Sequence, residues 1–295
     1  MKAFFNISGA QGLINRSIDR MKKIRYGNGF LDKINIAIFT LIYYQIPRTI
    51  RRKLPRIDAF ISKLSFSIMN GLTISINGIK YVLVDYESFC ITTNPKFETW
   101  MWNYLKPKKG EVFLDVGSHV GKYSFKVSKL VQNDGLVIAI EPVPTNYDAL
   151  IKGIKLNVFR NVTALNIAAW NRNCELKIFI GDSSGHHSAK LDKSLGCIEV
   201  RGKKIDDAIR KFNINRIDWI KIDVEGSEVE VISGLKNILK RYSPQIIVEV
   251  RNENLPKIYS ILEKTNYSLT PINESENRDN TIKCYYCTPK MRAEF

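Results

Sequence analysis

The stretch from residue 111 to residue 125, EVFLDVGSHVGKYSF, constrains the fold of this chain more than any other part. Four apolar side chains surround Asp115, which predicts a short, buried strand of a parallel sheet. Gly117 and Gly121 bracket a turn, and apolar residues at helical spacing begin after it. A strand, a glycine-rich turn and a helix in this order predict half of a nucleotide-binding βαβ unit.

The turn has the spacing D-x-G-x-x-x-G, which differs from the dinucleotide fingerprint and from the P-loop. Glycines let the backbone approach a ligand closely, because no Cβ stands in the way. The free N–H groups of the helix N-terminus favour a polar or anionic ligand end. Asp115, just inside the turn, suits a ligand with an ammonium group, such as S-adenosylmethionine. A tight turn without a ligand is the second interpretation that these residues leave open.

Acidic residues follow further predicted strands. Glu141 ends an apolar run and lies 24 residues beyond Gly117, a separation at which a carboxylate can accept hydrogen bonds from both hydroxyls of a ribose. Asp223 and Glu225 follow another apolar run. Because ligands of parallel sheets bind beyond the carboxyl ends of the strands, we expect these acids to lie near one another.

The cysteine pattern bears on compartment and metal binding. Five scattered cysteines, an odd number, are typical of a reducing compartment, which predicts a cytoplasmic protein. Cys284 and Cys287 have C-x-x-C spacing, but no second pair or histidine run accompanies them. We therefore expect no metal site at these cysteines. Asp223 and Glu225 could act as a base and an orienting partner or together hold a divalent cation, and because no histidine is placed beside them the first interpretation is favoured.

The basic charge is concentrated in the first third of the chain. Residues 1–110 hold 18 Lys/Arg and 6 Asp/Glu, a balance of +12, whereas the remainder holds 27 and 23, or +4. Such an excess attracts nucleic acid or anionic lipid head groups. An apolar run of 13 residues, 34–46, lies between basic flanks and is shorter than the ~20 residues of a membrane-spanning helix. Two interpretations stay open: a core helix, or contact of residues 1–63 with an anionic membrane surface, which would make the protein peripheral.

Two further elements precede the glycine turn. Alternating apolar residues flank Asn77-Gly78, which is the strongest short signal for a β-hairpin. Apolar residues at helical spacing then predict a helix over residues 97–105.

Four segments together resemble the FkbM family of S-adenosylmethionine-dependent methyltransferases: DVGSHVG (115–121), IEP (140–142), IKIDVEG (220–226) with Glu228, and PQIIVE (244–249). The resemblance covers about residues 83–287, and KIDVEG is its most specific part. It implies an α/β, Rossmann-like class I methyltransferase fold. The sheet would have seven mostly parallel strands with an antiparallel last strand. The helical N-terminal extension and the β-hairpin that precede it are predicted from the residue pattern, and the resemblance does not explain residues 1 to about 70.

The resemblance also implies roles for residues. Asp115, Gly117 and Gly121 would line the methionine part of S-adenosylmethionine, Glu141 would hold its ribose, and Asp223 would face the reaction centre. Other residues of the same motifs complete the predicted site, with contacts to the cofactor from Ser118, His119, Pro142 and Asp223, and catalytic roles for Asp223, Glu225 and His119. The family commonly has Ala-Asn where this chain has Ser118-His119, and this departure makes His119 a candidate base.

The predicted organisation is a basic, partly apolar extension over residues 1–70 and a methyltransferase domain over residues 71–295. Within that domain, the hairpin and helix occupy residues 71–109 and the Rossmann-like core residues 110–295. The expected reaction is O-methylation of a hydroxyl on a small-molecule or glycan acceptor: a sugar, a glycolipid or a natural product. An RNA methyltransferase is the alternative that the charge favours, although no aromatic-rich RNA-binding signature accompanies it. A non-catalytic, membrane-associated protein that retains the fold is the other alternative.

Overall fold

The computed structural model describes residues 21–45, 53–181, 183–190, 196–272 and 281–290. Residues 1–20 and 46–52 of the predicted extension, including the end of the apolar run, lie outside the described residues. The chain divides by packing into two compact units, one up to Thr93 and one from Asn94 onward. The sequence predicted a domain boundary after residue 70, and this boundary stays a prediction.

The described residues of the first unit form a 3₁₀ turn (Lys23–Tyr26), three α-helices and a hairpin: α1 (Phe30–Gln45), α2 (Pro55–Met69), β1 (Thr73–Ile76), β2 (Ile79–Val82) and α3 (Tyr86–Thr93). Asn77 and Gly78 join the strands with φ angles of 51° and 72°, the left-handed pair that a tight hairpin turn requires. The antiparallel register, with Ile76 opposite Ile79, confirms the predicted hairpin. No helix among the described residues has both the length and the apolar character of a membrane span.

The apolar run of the extension forms α1, and only one of its faces is buried. Ile36 and Phe39 are fully buried, and the Phe39 ring lies 5.1 Å from that of Tyr86. This face therefore belongs to the core of the first unit. The opposite face is exposed.

The second unit is an α/β unit. Its strands are β3 (Val112–Val116), β4 (Leu136–Ile140), β5 (Val162–Leu165), β6 (Ala168–Ala169), β7 (Cys174–Phe179), β8 (Cys197–Lys203), β9 (Trp219–Ile222), β10 (Gln245–Arg251), β11 (Tyr267–Pro271) and β12 (Ile282–Pro289). Its helices are α4 (Lys122–Val131), α5 (Pro144–Leu156), α6 (Ile205–Ala208), α7 (Glu228–Gly234), α8 (Lys236–Tyr242) and α9 (Leu255–Lys264), with short 3₁₀ turns at Thr99–Asn103, Arg210–Phe212 and Asn252–Asn254.

Seven strands form one sheet in the order β11-β12-β10-β9-β3-β4-β5. Strands β3, β4, β5, β9 and β10 pair in parallel, whereas β12 is antiparallel to both of its neighbours. The predicted fold class, a mostly parallel seven-stranded sheet with an antiparallel last strand, is confirmed. From β3 the sheet extends toward β4 on one side and β9 on the other, so the β3–β9 edge is the switch point where ligands bind in such sheets.

The sheet carries an apolar core on each face. Leu114, Ile220 and Val248 belong to the core under α7 and α9, and Phe113, Trp219 and Ile247 belong to the core under α4. Each fully buried side chain of this size stabilises the fold by about 1.5–3 kcal/mol. The two cysteines of the C-x-x-C segment both lie on β12, but Cys284 joins one core and Cys287 the other. They therefore do not converge on a common ligand.

The helix predicted over residues 97–105 is wrong as an α-helix. The structure has only a 3₁₀ turn, Thr99–Asn103, whose first neighbour Glu98 is left-handed with φ 53°. Two of the apolar residues at helical spacing are nevertheless buried, because Met101 and Leu105 pack in the core under α4. A left-handed residue cannot lie inside a right-handed helix, so Glu98 excludes residues 97 and 98 from the helical segment, which begins at Thr99.

Candidate active site

The turn after β3 lies directly against the end of β9. Gly117 has φ +81°, and a Cβ at this position would lie 1.7 Å from the backbone oxygen of Asp223. Its backbone N–H donates to Ile140 O at 3.0 Å, while the N–H of Asp223 donates to Val116 O at 3.0 Å. Only glycine permits both the left-handed backbone and this close approach. The turn, β4 and β9 therefore meet where the parallel strands end, and we call this side of the sheet the carboxyl edge.

Asp115 is a buried carboxyl with one unused oxygen. Its side chain is 1% exposed, and Oδ2 accepts a hydrogen bond from Ser124 Oγ at 2.5 Å. Oδ1 has no hydrogen-bond partner among the described residues. Burial raises the pKa of Asp115, and the charge of Lys221 opposes that shift. An unpartnered carboxylate oxygen at this depth fits a ligand that brings its own donor.

Glu141 stabilises the glycine turn through hydrogen bonds. Its carboxylate accepts hydrogen bonds from the backbone N–H groups of His119 at 2.8 Å and Val143 at 3.0 Å, and from Asn146 Nδ2 at 3.4 Å. Burial raises the pKa of Glu141 to about 7 in spite of these donors. Each carboxylate oxygen can accept two hydrogen bonds, and three of the four positions are filled, so Oε2 of Glu141 can accept one further hydrogen bond from a hydroxyl donor.

The other predicted cofactor residues lie around Glu141. Ser118 Oγ is buried and has no partner among the described residues. His119 is left-handed with φ 51°, and its Nε2 lies 2.8 Å from Ser184 Oγ. Pro142 is half-buried, and its carbonyl accepts from Asn166 Nδ2 at 3.0 Å.

The segment 183–190 contacts both sides of the edge. The Ser184 carbonyl accepts from Asn146 Nδ2 at 3.0 Å, and Ser188 Oγ donates to the Glu225 carbonyl at 2.6 Å. The segment therefore bridges α5 and the turn after β9. In the sequence, only the polar composition of this segment pointed toward such a bridge.

Asp223, the first residue after β9, pairs with a buried lysine. Its Oδ2 lies 3.0 Å from Lys221 Nζ, and Lys221 is only 3% exposed. Burial acts to lower the pKa of Lys221, but Asp223, Asp115 and Glu98 outweigh it and raise the pKa. Lys221 is therefore a fixed cation between the acids of β3 and β9.

Glu225 pairs with Arg251 rather than with the following helix. Its Oε2 lies 2.8 Å from Arg251 Nη2, and each side chain is 20% exposed. The carboxylate that serves the start of α7 is Glu228, which accepts from the Gly226 N–H at 2.7 Å. Burial, and then the neighbouring Asp223, raise the pKa of Glu225.

The carboxylate of Asp223 lies close to two other carboxylates. Oxygens of Glu98, Asp223 and Glu249 all lie within 4.8 Å of one another. Burial, followed by the charges of Asp223, Glu225 and Glu98, raises the pKa of Glu249 well above its usual range. We call Glu98, Asp223 and Glu249 the acid cluster.

Two side chains of α4 surround Glu98. The Tyr123 hydroxyl donates to Glu98, and Lys122 Nζ lies 3.6 Å from Glu98 Oε2 and 3.7 Å from the centre of the Phe97 ring. Burial lowers the pKa of Lys122 to about 7. Two lysines therefore lie beside the acid cluster, Lys122 against Glu98 and Lys221 against Asp223, and of these Lys122 can change its protonation near neutral pH.

The carboxyl edge of the second unit thus joins two groups of residues. Asp115, Ser118, His119 and Glu141 surround the glycine turn. The acid cluster combines Asp223 after β9, Glu249 within β10 and Glu98. Sequence reasoning missed Glu98, Lys122 and Tyr123, because their partners are distant in the chain. A lysine inside the apolar strand β9 was the available signal for Lys221.

Residues 115–269 match the family model described as the methyltransferase FkbM domain, which is more than half of the 295 residues. The chain belongs to the FkbM methyltransferase family. The match begins at Asp115 and includes Glu141, Asp223 and Glu249. This FkbM methyltransferase therefore carries both groups of the carboxyl edge within its family domain, apart from Glu98.

Curated relatives are distant. Methyltransferase sdnD of Sordaria araneosa is 24% identical over 193 residues, covering 53% of this chain and 73% of that protein. The hexuronic acid methyltransferase AglP of Haloferax volcanii is 24% identical over 175 residues, covering 58% and 70%. A tRNA(Phe) (4-demethylwyosine(37)-C(7)) aminocarboxypropyltransferase of Methanocaldococcus jannaschii is 28% identical over 158 residues, covering 50% and 62%.

Among solved structures, an FkbM methyltransferase from Methylobacillus flagellatus matches this FkbM methyltransferase with a TM-score of 0.49 and 14% identity. The match covers 94% of this chain and 60% of that one.

Proposed function

We propose that this FkbM methyltransferase uses S-adenosylmethionine to methylate a hydroxyl oxygen of a sugar, glycolipid or natural product. The observation that carries the proposal is the acid cluster, which adjoins the glycine turn where the backbone of Asp223 meets Gly117. The cofactor supplies a methyl group on a positively charged sulfur, which is already an activated electrophile. The protein then has to orient the acceptor oxygen and take its proton.

The residues at the glycine turn fit this cofactor. Asp115 has an unpartnered, buried oxygen for an ammonium group, and Glu141 has acceptor capacity for ribose hydroxyls. Ser118 Oγ is a second buried polar atom without a partner among the described residues. His119 and Pro142 are assigned to the same cofactor wall because they flank Glu141.

The acid cluster is assigned to the acceptor. A hydroxyl is a weak nucleophile, so a base that takes its proton as the new bond forms contributes about 10²–10⁴-fold. Asp223 holds the acceptor or the ammonium group of the cofactor. The raised pKa of Glu249 makes its carboxylate a stronger base than that of an ordinary glutamate. Lys221, whose pKa is raised, holds the carboxylate of Asp223 by charge at 3.0 Å.

Glu225 and His119 are assigned differently. Glu225 is a positioning residue, because its carboxylate is held by Arg251 at 2.8 Å. His119 lies on the cofactor side, with its Nε2 2.8 Å from Ser184 Oγ. It is the alternative base if the acid cluster serves only to bind the acceptor.

The acceptor class is supported by one relative in particular. AglP is described as a hexuronic acid methyltransferase, and its name indicates a sugar acid as acceptor. A hydroxyl-rich acceptor also suits several carboxylates, each of which accepts hydrogen bonds from hydroxyl donors.

The direct test is incubation of the full chain with radiolabelled S-adenosylmethionine and fractionated cell extract. We expect label in a glycan, glycolipid or small-molecule fraction and none in RNA. Free uronic acids and their glycosides serve as defined acceptors. Label confined to RNA would overturn the acceptor class, whereas binding of the cofactor with no transfer to any fraction would favour a non-catalytic role.

Nucleic acid is the second candidate acceptor. The balance of +12 in residues 1–110 and the relative named for tRNA(Phe) favour it. An RNA substrate predicts tRNA binding whose affinity falls steeply and linearly with the logarithm of salt concentration. A weak salt dependence, or no tRNA binding at 150 mM salt, would exclude this candidate.

A further inference from the structure

The helix α1 of the first unit exposes a continuous apolar face. Six large apolar residues are between 37% and 78% exposed and recur three, four or seven positions apart: Phe30, Leu31, Ile34, Ile38, Leu41 and Ile42. Residues at this spacing lie on one side of a helix. We call this set the α1 face.

The α1 face is not the side by which the helix is held. The buried residues Ile36, Phe39 and Thr40 lie on the other side, and Phe39 packs on the rings of Tyr43 and Tyr86 at 5.5 and 5.1 Å. Single exposed apolar residues are ordinary, but a whole helix face of them marks an interaction surface. Because the core already holds one side, a partner reaches this helix only from the exposed side.

The charge around α1 is strongly positive. Residues 21–72 contain ten basic residues and two acids, a balance of +8. Among them, Lys22, Lys33, Lys53, Arg56 and Lys63 are exposed. One of the acids, Asp32, is engaged by the backbone N–H groups of Gly29 and Thr73, at 2.8 and 3.3 Å.

We propose that the α1 face lies in the interfacial region of an anionic lipid bilayer, with the helix axis parallel to the membrane. Aliphatic and aromatic side chains enter the boundary of the acyl chains, and the flanking lysines and arginines contact anionic head groups. This surface goes beyond methyl transfer and does not depend on it.

Charge and chemistry favour lipid over the other partners of such a face. A second copy would bring two strongly basic units together, which charge repulsion opposes. Nucleic acid would use the basic residues but leave aliphatic side chains such as Ile34, Ile38 and Leu41 without a role, since phosphates and bases are bound by charge and by aromatic stacking. Of these three partners, only an anionic bilayer uses both the apolar face and the positive charge.

The test is sedimentation of the full chain with vesicles. We expect binding to phosphatidylcholine vesicles that contain 30% phosphatidylserine, little binding to pure phosphatidylcholine, and loss of binding as salt rises from 0.1 to 0.5 M, because screening lengths shorten over this range. The double variant Ile38→Ser/Leu41→Ser should weaken vesicle binding at least tenfold.

The matched control is Leu130→Ser/Leu156→Ser, which removes two exposed leucines of similar exposure, 46% and 42%, from helices of the second unit. It should bind vesicles as the unmodified chain does, and cofactor affinity should be unchanged in both variants. Equal vesicle binding by the two double variants, or no preference for phosphatidylserine, would overturn the proposal. A shift from dimer to monomer caused only by the α1 variant would assign the face to a second copy, and selective loss of tRNA binding would assign it to nucleic acid.

Discussion

Glu141 is a buried acid whose ionisation is linked to the ligand that we assign to it. In the free protein, burial raises its pKa to about 7. Ribose hydroxyls are donors, so they favour the ionised form. Affinity for S-adenosylmethionine should therefore rise as pH increases from 6 to 8 and level off above the pKa of the free protein.

The first prediction is that Glu141→Gln weakens cofactor binding by about 1–3 kcal/mol and removes most of the pH dependence between 6 and 8. Glutamine keeps an acceptor for the turn, so the variant should fold. Titration calorimetry at three pH values measures both effects. The exposed Glu175→Gln is the charge-matched control, and equal behaviour of the two variants would disprove the ribose assignment.

The second prediction concerns Asp223 and its partners. Asp223→Asn should lower turnover at least about 10²-fold. It should also lower the melting temperature, because the buried Lys221 loses its charged partner at 3.0 Å. Turnover of the unmodified chain should persist in EDTA, because Lys221 already supplies a positive charge beside Asp223. Normal turnover in Asp223→Asn together with an inactive His119→Ala variant would mean that His119 is the base.

The third prediction separates Glu225 from the acid cluster. Glu225→Gln removes the charged partner of Arg251 and should destabilise the fold by roughly 1–3 kcal/mol. Its turnover should fall less than that of Asp223→Asn. Denaturant unfolding and initial rates measure the two effects. A fall in rate as large as that of Asp223→Asn, without loss of stability, would place Glu225 at the acceptor.

At the scale of elements, the turn between β3 and α4 decides whether the two groups of the edge meet. Gly110 and Gly117 both have φ +81°, but a Cβ at Gly110 meets nothing within 4 Å, whereas at Gly117 it meets the Asp223 oxygen at 1.7 Å. An alanine at either position would therefore have the same unfavourable left-handed backbone, but only at position 117 would its Cβ also collide with another part of the chain.

The fourth prediction uses this pair. Gly110→Ala should destabilise the fold by about 1–2 kcal/mol through its left-handed backbone alone. Gly117→Ala should cost at least about 2 kcal/mol more and should abolish cofactor binding, because the turn must move away from β9. Unfolding curves and calorimetry of both variants provide the comparison. Similar stability and affinity in the two would mean that the close approach has no functional consequence.

At the scale of the whole molecule, the family domain and the residues of the carboxyl edge all lie in the unit that begins at Asn94. The fifth prediction is that a chain of residues 94–295 folds and binds S-adenosylmethionine with an affinity within about threefold of the full chain. Circular dichroism and calorimetry test this. Aggregation of this chain, or loss of its cofactor binding, would show that the first unit is part of the methyltransferase domain.

The sequence by itself determined the parts of this protein that depend on local pattern. Short apolar runs with acids at their ends indicated β3, β4 and β9, because buried parallel strands and their functional ends are contiguous in the chain. Asn77-Gly78 indicated the hairpin, because the left-handed turn depends on two adjacent residues. The same reasoning failed at residues 97–105, where apolar spacing was present but the left-handed Glu98 shortened the helix.

Only the tertiary structure decided which charges meet. Glu98 joins Asp223 and Glu249 although it lies 125 residues or more from each of them in the chain, and nothing local to Glu98 indicates those partners. The pairing of Glu225 with Arg251 and the position of Lys221 between the acids of β3 and β9 are likewise contacts between different strands and turns. The apolar run of α1 was visible in the sequence, but its division into a buried and an exposed face depends on what packs against it. Such contacts are set by how elements pack, and a residue pattern reports only the element to which it belongs.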